Sequence, residues 1–134
     1  MQLPAGNIGF YASNGNPLSW TPDGRILFIS NESGNTDVWL MDPDGKNRKQ
    51  LTTGSGLNAT PVASADGRLI HYSINQNNVT NIWSQSPEGG EPRQVTDFKS
   101  SVMTGFAWSR DGKQLACTRG VLARDAVLIA DLGK

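Results

Sequence analysis

The stretch Trp20-Thr21-Pro22-Asp23-Gly24-Arg25-Ile26-Leu27-Phe28-Ile29-Ser30 sets a tight-turn tripeptide directly ahead of a nearly continuous apolar run. Pro fixes φ at the second turn position, and Gly supplies the left-handed conformation that a tight hairpin with a bulge requires. The run behind it is apolar on consecutive rather than alternate positions, which describes a strand buried on both faces. The same arrangement returns twice. Ala65-Asp66-Gly67 precedes Arg68-Leu69-Ile70-His71-Tyr72-Ser73, and Arg110-Asp111-Gly112 precedes Lys113-Gln114-Leu115-Ala116-Cys117-Thr118. Counted from the turns, His71 takes the position of Phe28 and Ala116.

Further markers keep the same spacing. The turn aspartates are 43 and 45 residues apart, while Trp39, Trp83 and Val127 stand 44 apart both times. Gln50-Leu51-Thr52 and Gln94-Val95-Thr96 repeat as well, and Trp20, Ala63 and Trp108 each lie three residues ahead of their aspartate. One period reads as four short strands. A first hairpin spans the Asp-Gly turn, and a polar loop (31–36, 75–80, 119–124) leads to the tryptophan-bearing strand. A second turn follows at Pro43-Asp44-Gly45 and Pro87-Glu88-Gly89-Gly90. The last strand, Arg48 to Thr53 and Arg93 to Asp97, is short and polar, as suits an outer edge that resists pairing with other chains. No stretch carries the helical apolar period. The fold class is therefore all-β, with four-stranded β-propeller blades, about three in the chain, at the repeat length expected of blades. An immunoglobulin-like sandwich has no reason to repeat its sequence. The expected units are an N-terminal strand or loop over 1–16, blades at 17–58 and 59–102, and a third at 103–134 that lacks its outer strand.

Composition narrows the function classes. Twelve Lys plus Arg balance twelve Asp plus Glu in 134 residues, so no net field favours nucleic acid or acidic lipid. Cys117 is the single cysteine and forms no internal disulfide. No apolar run is long enough to span a bilayer, and the opening residues lack the pattern of a signal peptide. Fifteen Gly and seven Pro fit many turns between short strands.

The motifs resemble the TolB-like, WD-like β-propeller repeat of bacterial proteins. Trp20-Thr21-Pro22-Asp23-Gly24, Asp37-Val38-Trp39 and Gln50-Leu51-Thr52 carry the likeness most closely. The second copy departs from it at Ala63-Ser64-Ala65, and the third at Arg110 and Val127. Residues 17–134 are covered. The last repeat also resembles the C-terminal repeat of propellers attached to bacterial membrane-anchored kinases and regulators. The resemblance implies a six- to eight-bladed domain used for protein or ligand recognition, often outside the cytoplasm, in the periplasm. Three blades do not close a ring, since closure takes at least four. Two copies joined head to tail, or a piece of a longer propeller, would complete it, with Gln2-Leu3 or Ile8 to Ser13 as a donated strand. The apolar faces expected to drive association are Leu27, Ile29, Val38 and Leu40 at one end and Leu115, Val127 and Ile129 at the other.

Catalytic and metal chemistry finds little footing. His71, the single histidine, lies among apolar neighbours and lacks the convergent partners that a triad or metal site needs. Gly54-Ser55-Gly56 lacks the frame of a nucleophile elbow. Asp42-Pro43-Asp44-Gly45 lacks the helices and closing glutamate of a calcium loop, and the turn aspartates read as caps of their own turns. The glycosylation-like tripeptides at Asn31, Asn58 and Asn78 are what Asn-rich loops produce. Trp20, Trp39, Trp83 and Trp108 are expected to fill equivalent sites between blades. The expectation is a non-catalytic protein- or ligand-binding module, the C-terminal part of a larger bacterial sensor or scaffold as the resemblance implies, with a protein or peptide partner and with no cofactor, no metal, no nucleic acid and no membrane insertion. Self-association as a homodimer belongs to the same reading. Loops entering the innermost strands (14–17, 56–60, 101–105) supply Asn16, Asn58, Thr60 and Thr104 as candidate polar contacts at one end of the channel. The competing readings are the accessory propeller of a hydrolase or peptidase, and a propeller glycosidase; the glycosidase would need convergent Asp, Glu, Arg or Tyr residues that those loops do not contain.

Overall fold

A computed structural model describes residues 18–54, 61–120 and the backbone of 125–130; the side chain of Thr104 lies outside that description. Its strands form three antiparallel sheets in sequence order. The first contains β1 (Leu18–Trp20), β2 (Ile26–Ser30), β3 (Asp37–Met41) and β4 (Lys49–Gln50). The second contains β5 (Val62–Ala63), β6 (Ile70–Gln76), β7 (Val79–Ser86) and β8 (Gly89–Gln94), and the third β9 (Met103–Trp108), β10 (Gln114–Arg119) and β11 (Asp125–Ala130). Each sheet is a propeller blade, in which the β1–β2 and β3–β4 turns share one end and the β2–β3 loop and the connector to the next blade share the other.

Side chains alternate along a strand, and each blade uses both faces. Leu27, Val38 and Leu40 of the first blade pack against Ile70, Tyr72 and Ile74 of the second, with Trp83 alongside. Ile82 of the second blade packs with Met103, Leu115 and Cys117, joined by Phe106 and Trp108. The face turned toward the next blade is called forward here, and the other rear. The rear face of the first blade holds Ile26, Phe28 and Met41, all buried, with Leu18 and Trp39 against them. Leu27, Val38 and Leu40 therefore fill an internal seam rather than an end of the arc, and Leu115 also faces inward. The side chains of Val127 and Ile129 lie outside the described residues. Both expected ends are thus inward faces, and the strands of the first blade are in addition shifted by one residue against those of the other two, which exchanges the faces of residues matched by the turns.

The shift has a visible origin in the turns. Thr21 N–H donates to the Arg25 carbonyl, whereas Ser64 N–H reaches Leu69 and Ser109 N–H reaches Gln114, each at 2.8 Å. The first Asp-Gly turn is thus one residue shorter than the other two. Cross-strand pairs confirm the offset: Trp20 faces Ile26, Ala63 faces Ile70 and Trp108 faces Leu115. Phe28, Tyr72 and Cys117 are equivalent, opposite Trp39, Trp83 and Val127. His71 corresponds to Leu27 and not to Phe28.

Three more expectations shift in detail. The polar loop at 75–80 is a two-residue turn, because Gln76 pairs with Val79. Asn77 and Asn78 have φ of 54° and 63°, the left-handed pair a primed hairpin turn requires and which Asn tolerates. The outer strand of the second blade is Gly89–Gln94 rather than Arg93 to Asp97. The expected loop 101–105 is already strand from Met103.

The Asp-x-Trp and Gln-x-Thr markers have a common structural cause. Buried Asp37 accepts hydrogen bonds from Thr52 Oγ1 and Gly54 N–H at 2.8 Å, and Thr52 Oγ1 accepts one from Val38 N–H at 2.9 Å. In the second blade Asn81 Oδ1 accepts from Thr96 Oγ1 at 2.8 Å and Phe98 N–H at 2.6 Å, while Thr96 Oγ1 accepts from Ile82 N–H at 2.9 Å. This clasp fixes the chain leaving the outer strand, where the β4 ladder is only two residues long.

Candidate functional site

The Asp-Gly turns carry one hydrogen-bond pattern three times. Asp66 Oδ1 accepts from Ser64 Oγ at 2.7 Å and Arg68 N–H at 3.0 Å; Asp111 Oδ1 accepts from Ser109 Oγ at 2.6 Å and Lys113 N–H at 3.0 Å. Asp23 is held likewise by Thr21 Oγ1 and, at 3.4 Å, by Arg25 N–H. These bonds favour the ionised carboxylate. The Thr21 hydroxyl and then Arg25 lower the pKa of Asp23, the Arg68 N–H and then the Ser64 hydroxyl lower that of Asp66, and the Ser109 hydroxyl leads for Asp111. The reading of these aspartates as turn caps holds.

Successive turns stand side by side at one end of the arc. A Cβ on Gly67 would lie 3.6 Å from Pro22 Cγ, and one on Gly112 only 2.7 Å from Ala65 Cβ. Between the first two turns and the β7–β8 turn lies a cleft of about 530 Å³ whose walls include Asp23, Arg25, Asp66, Arg68, Pro87 and Glu88. Arg25 bridges it, with ion pairs of 2.9 Å to Asp23 and 3.0 Å to Glu88. Asp23 raises the Arg25 pKa further. Lys49 Nζ donates to the Glu88 carbonyl, a second tie between the blades. Charges of both signs on an open, partly apolar floor suit side chains of a polar polypeptide. His71 is fully buried and does not reach a ligand here as a general base.

Of the residues expected to bind, Asn16, Asn58 and Thr60 lie outside the described residues, and Thr104 belongs to strand β9. The cleft lies at the opposite end from their connectors. Its residues were missed, although Arg25, Arg68 and Lys113 recur two positions after each aspartate. That recurrence was the available signal.

The tryptophans divide. Trp83 packs in the first seam and Trp108 in the second, whereas Trp39 stacks on Phe28 at 6.4 Å under the Arg48 guanidinium. Trp20 is 57% exposed and fills no seam, which corrects its assignment between blades. In the second seam Trp108 meets His71 edge-on at 4.9 Å. Both His71 nitrogens, Ser73 Oγ and Trp108 Nε1 are buried and find no hydrogen-bond partner among the described residues. Burial lowers the His71 pKa to about 4, against a smaller opposing pull from Asp66. Among the described residues no group of His, Cys, Asp and Glu is arranged to hold a metal ion, and no helix is long and apolar enough to cross a membrane.

Blades of this form, stacked face to face, make the molecule a β-propeller segment. Residues 7–134 match the TolB beta propeller domain, and the chain belongs to that family. It is 47% identical over 45 residues to Tol-Pal system protein TolB of Geobacter sulfurreducens, a stretch covering 34% of this chain and 10% of that protein. It is 29% identical over 121 residues to dipeptidyl-peptidase 5 of Porphyromonas endodontalis, covering 90% and 17% respectively. The crystal structure of TolB from Acinetobacter baumannii superposes with a TM-score of 0.70 at 22% identity, over 90% of this chain and 31% of that one. A TolB structure from Agrobacterium tumefaciens gives 0.67 at 23%, over 81% and 40%. These two likenesses show the fold, and the matched segments span a small part of each curated relative.

Proposed function

We propose that this propeller segment is a non-catalytic recognition module that takes a protein or peptide partner, as part of a larger bacterial sensor or scaffold acting outside the cytoplasm. The observation that carries the reading is the mixed-charge cleft at the Asp-Gly end, where Arg25 is already neutralised by two carboxylates while exposed Arg68 and Asp66 line the wall. Polypeptide segments meet such surfaces with hydrogen bonds and charge complementarity. Association of two copies completes the arc. The alignment with dipeptidyl-peptidase 5 over most of the chain supports a second reading, in which the segment is the accessory propeller of a peptidase and the chemistry resides in another domain.

The test is selection of a random peptide library on the immobilised chain, followed by titration of the winners against variants. Loss of binding in Arg68→Glu and Glu88→Lys, with Asn58→Ala and Thr60→Ala unaffected, is expected. The reverse pattern moves the site to the connector end. Peptide cleavage by the purified chain overturns the non-catalytic reading.

A further inference from the structure

Arg25 and Arg68 each follow a turn aspartate by two residues, and each donates its backbone N–H to that aspartate, at 3.4 and 3.0 Å. Their guanidinium groups differ. That of Arg25 lies between two carboxylates, 2.9 Å from Asp23 and 3.0 Å from Glu88, the second supplied by the neighbouring blade. That of Arg68 is exposed on the wall of the same cleft and has no carboxylate within ion-pair distance among the described residues. The nearby carboxylates are committed elsewhere: Asp23 and Glu88 hold Arg25, and Asp66 Oδ1 closes its own turn with the Ser64 hydroxyl and the Arg68 N–H. Arg68 is therefore the cleft cation available to an anion from outside. Every wall residue lies between Pro22 and Glu88, so the cleft involves neither end of the chain.

We infer that the cleft selects peptide segments carrying an acidic side chain, and that Arg68 is the residue that receives it, as Arg25 receives Glu88 within the chain. A guanidinium meets a carboxylate through two parallel N–H donors, a geometry that fixes position as well as charge. The anion is a side chain rather than a chain terminus. Termini are captured by backbone nests, but the N–H groups of Arg25, Gly67, Arg68 and Glu88 are spent on their own turns, and Pro22 and Pro87 have none. Long-range attraction contributes little, because three carboxylates (Asp23, Asp66, Glu88) surround the cleft with two guanidinium groups (Arg25, Arg68). Selection comes from contact, where salt screens least. This inference names the partner class for the recognition reading given above and rests on it.

The probe is a library of short random peptides, acetylated and amidated so that no terminal carboxylate is present, selected on the immobilised 134-residue chain. Winners are expected to share an Asp or Glu. Its replacement by Asn or Gln should weaken binding to the parent chain about tenfold. Arg68→Gln should weaken the unaltered winners equally, with no further loss when both changes are combined. The turn holds Arg68 through its backbone N–H, so the variant should keep its fold, verified by circular dichroism, and the peptide-side replacement needs no variant at all. Winners without an acidic residue, or an acidic residue replaced without loss, overturn the inference. If such winners still lose binding in Glu88→Lys, the recognition reading stands without it. A library that yields no binder, or winners indifferent to both Arg68→Gln and Glu88→Lys, overturns both. A second library with free C-termini, whose winners need that terminus and Arg68 together, overturns the assignment to a side chain.

Discussion

His71 of the second blade and Trp108 of the third meet with ring centroids 4.9 Å apart and planes at 76°, in a seam whose counterpart between the first two blades is apolar at the same position, Leu27. Edge-to-face contact compensates part of the burial of a polar ring, but both imidazole nitrogens lack partners among the described residues. A buried unpaired polar group costs about 1–3 kcal/mol. His71→Leu is therefore expected to raise stability by about 1–2 kcal/mol, read as a higher urea midpoint at unchanged slope.

Acid should weaken the same seam. The folded pKa of His71, about 4, lies below its ordinary 6.5. Between those values the unfolded chain binds a proton that the folded one refuses, so stability is full above 6.5 and falls as pH drops. A displacement of that size corresponds to about 3 kcal/mol by the lower limit. Urea titrations from pH 7 to pH 4 should show the decline, and His71→Leu should flatten it. The turn aspartates, whose folded pKa values are lowered, act at more acid pH. Their contribution is present above 3.8 and is lost below it.

The clasp at the outer strand predicts an order of severity. Asp37→Ala leaves the Thr52 hydroxyl and the Gly54 N–H without their acceptor and should cost about 3 kcal/mol. Asp37→Asn should cost less, since Asn81 makes the equivalent bonds in the second blade. Equal losses would show that charge, rather than acceptor geometry, holds the clasp.

Gly112 and Gly24 separate conformational strain from contact. Both have positive φ, 73° and 88°, yet only at Gly112 would a Cβ strike another blade, 2.7 Å from Ala65 Cβ. Gly24→Ala is expected to cost about 1 kcal/mol from backbone strain. Gly112→Ala should cost clearly more, and Ala65→Gly should recover the excess in a double-mutant cycle.

Two tryptophans should respond in opposite ways. Trp83→Ala removes packing from the first seam and is expected to cost about 3 kcal/mol. Trp20→Ala, at high dilution, should change stability by no more than about 0.5 kcal/mol. A large loss at Trp20 in the dilute chain would contradict its exposure.

The repeat made the architecture legible because two kinds of feature, turns and strand ladders, are local. Asp23, Asp66 and Asp111 cap turns with their own neighbours, and such bonds are written in adjacent residues. Strand faces were less legible. The tripeptide markers align the aspartates, but the ladder counts from Trp20, Ala63 and Trp108, and the first turn is one residue shorter. Alignment on the turns therefore put His71 with Phe28, and which face of each blade turns inward depends on the neighbouring blade, so the ends of the arc were inverted as well. The exposure of Trp20 depends on what stands beside the first blade, which no local pattern encodes. The cleft was hidden for a similar reason, since Arg25, Arg68 and Glu88 come from three turns that only blade stacking brings together.

The central claim is that this chain is an arc of stacked blades whose Asp-Gly end carries a mixed-charge cleft for a polypeptide. Titration of library-selected peptides against the unaltered chain and against Arg68→Glu tests it most directly. Binding by the unaltered chain that is lost in Arg68→Glu is the predicted result, and equal binding by both would contradict it.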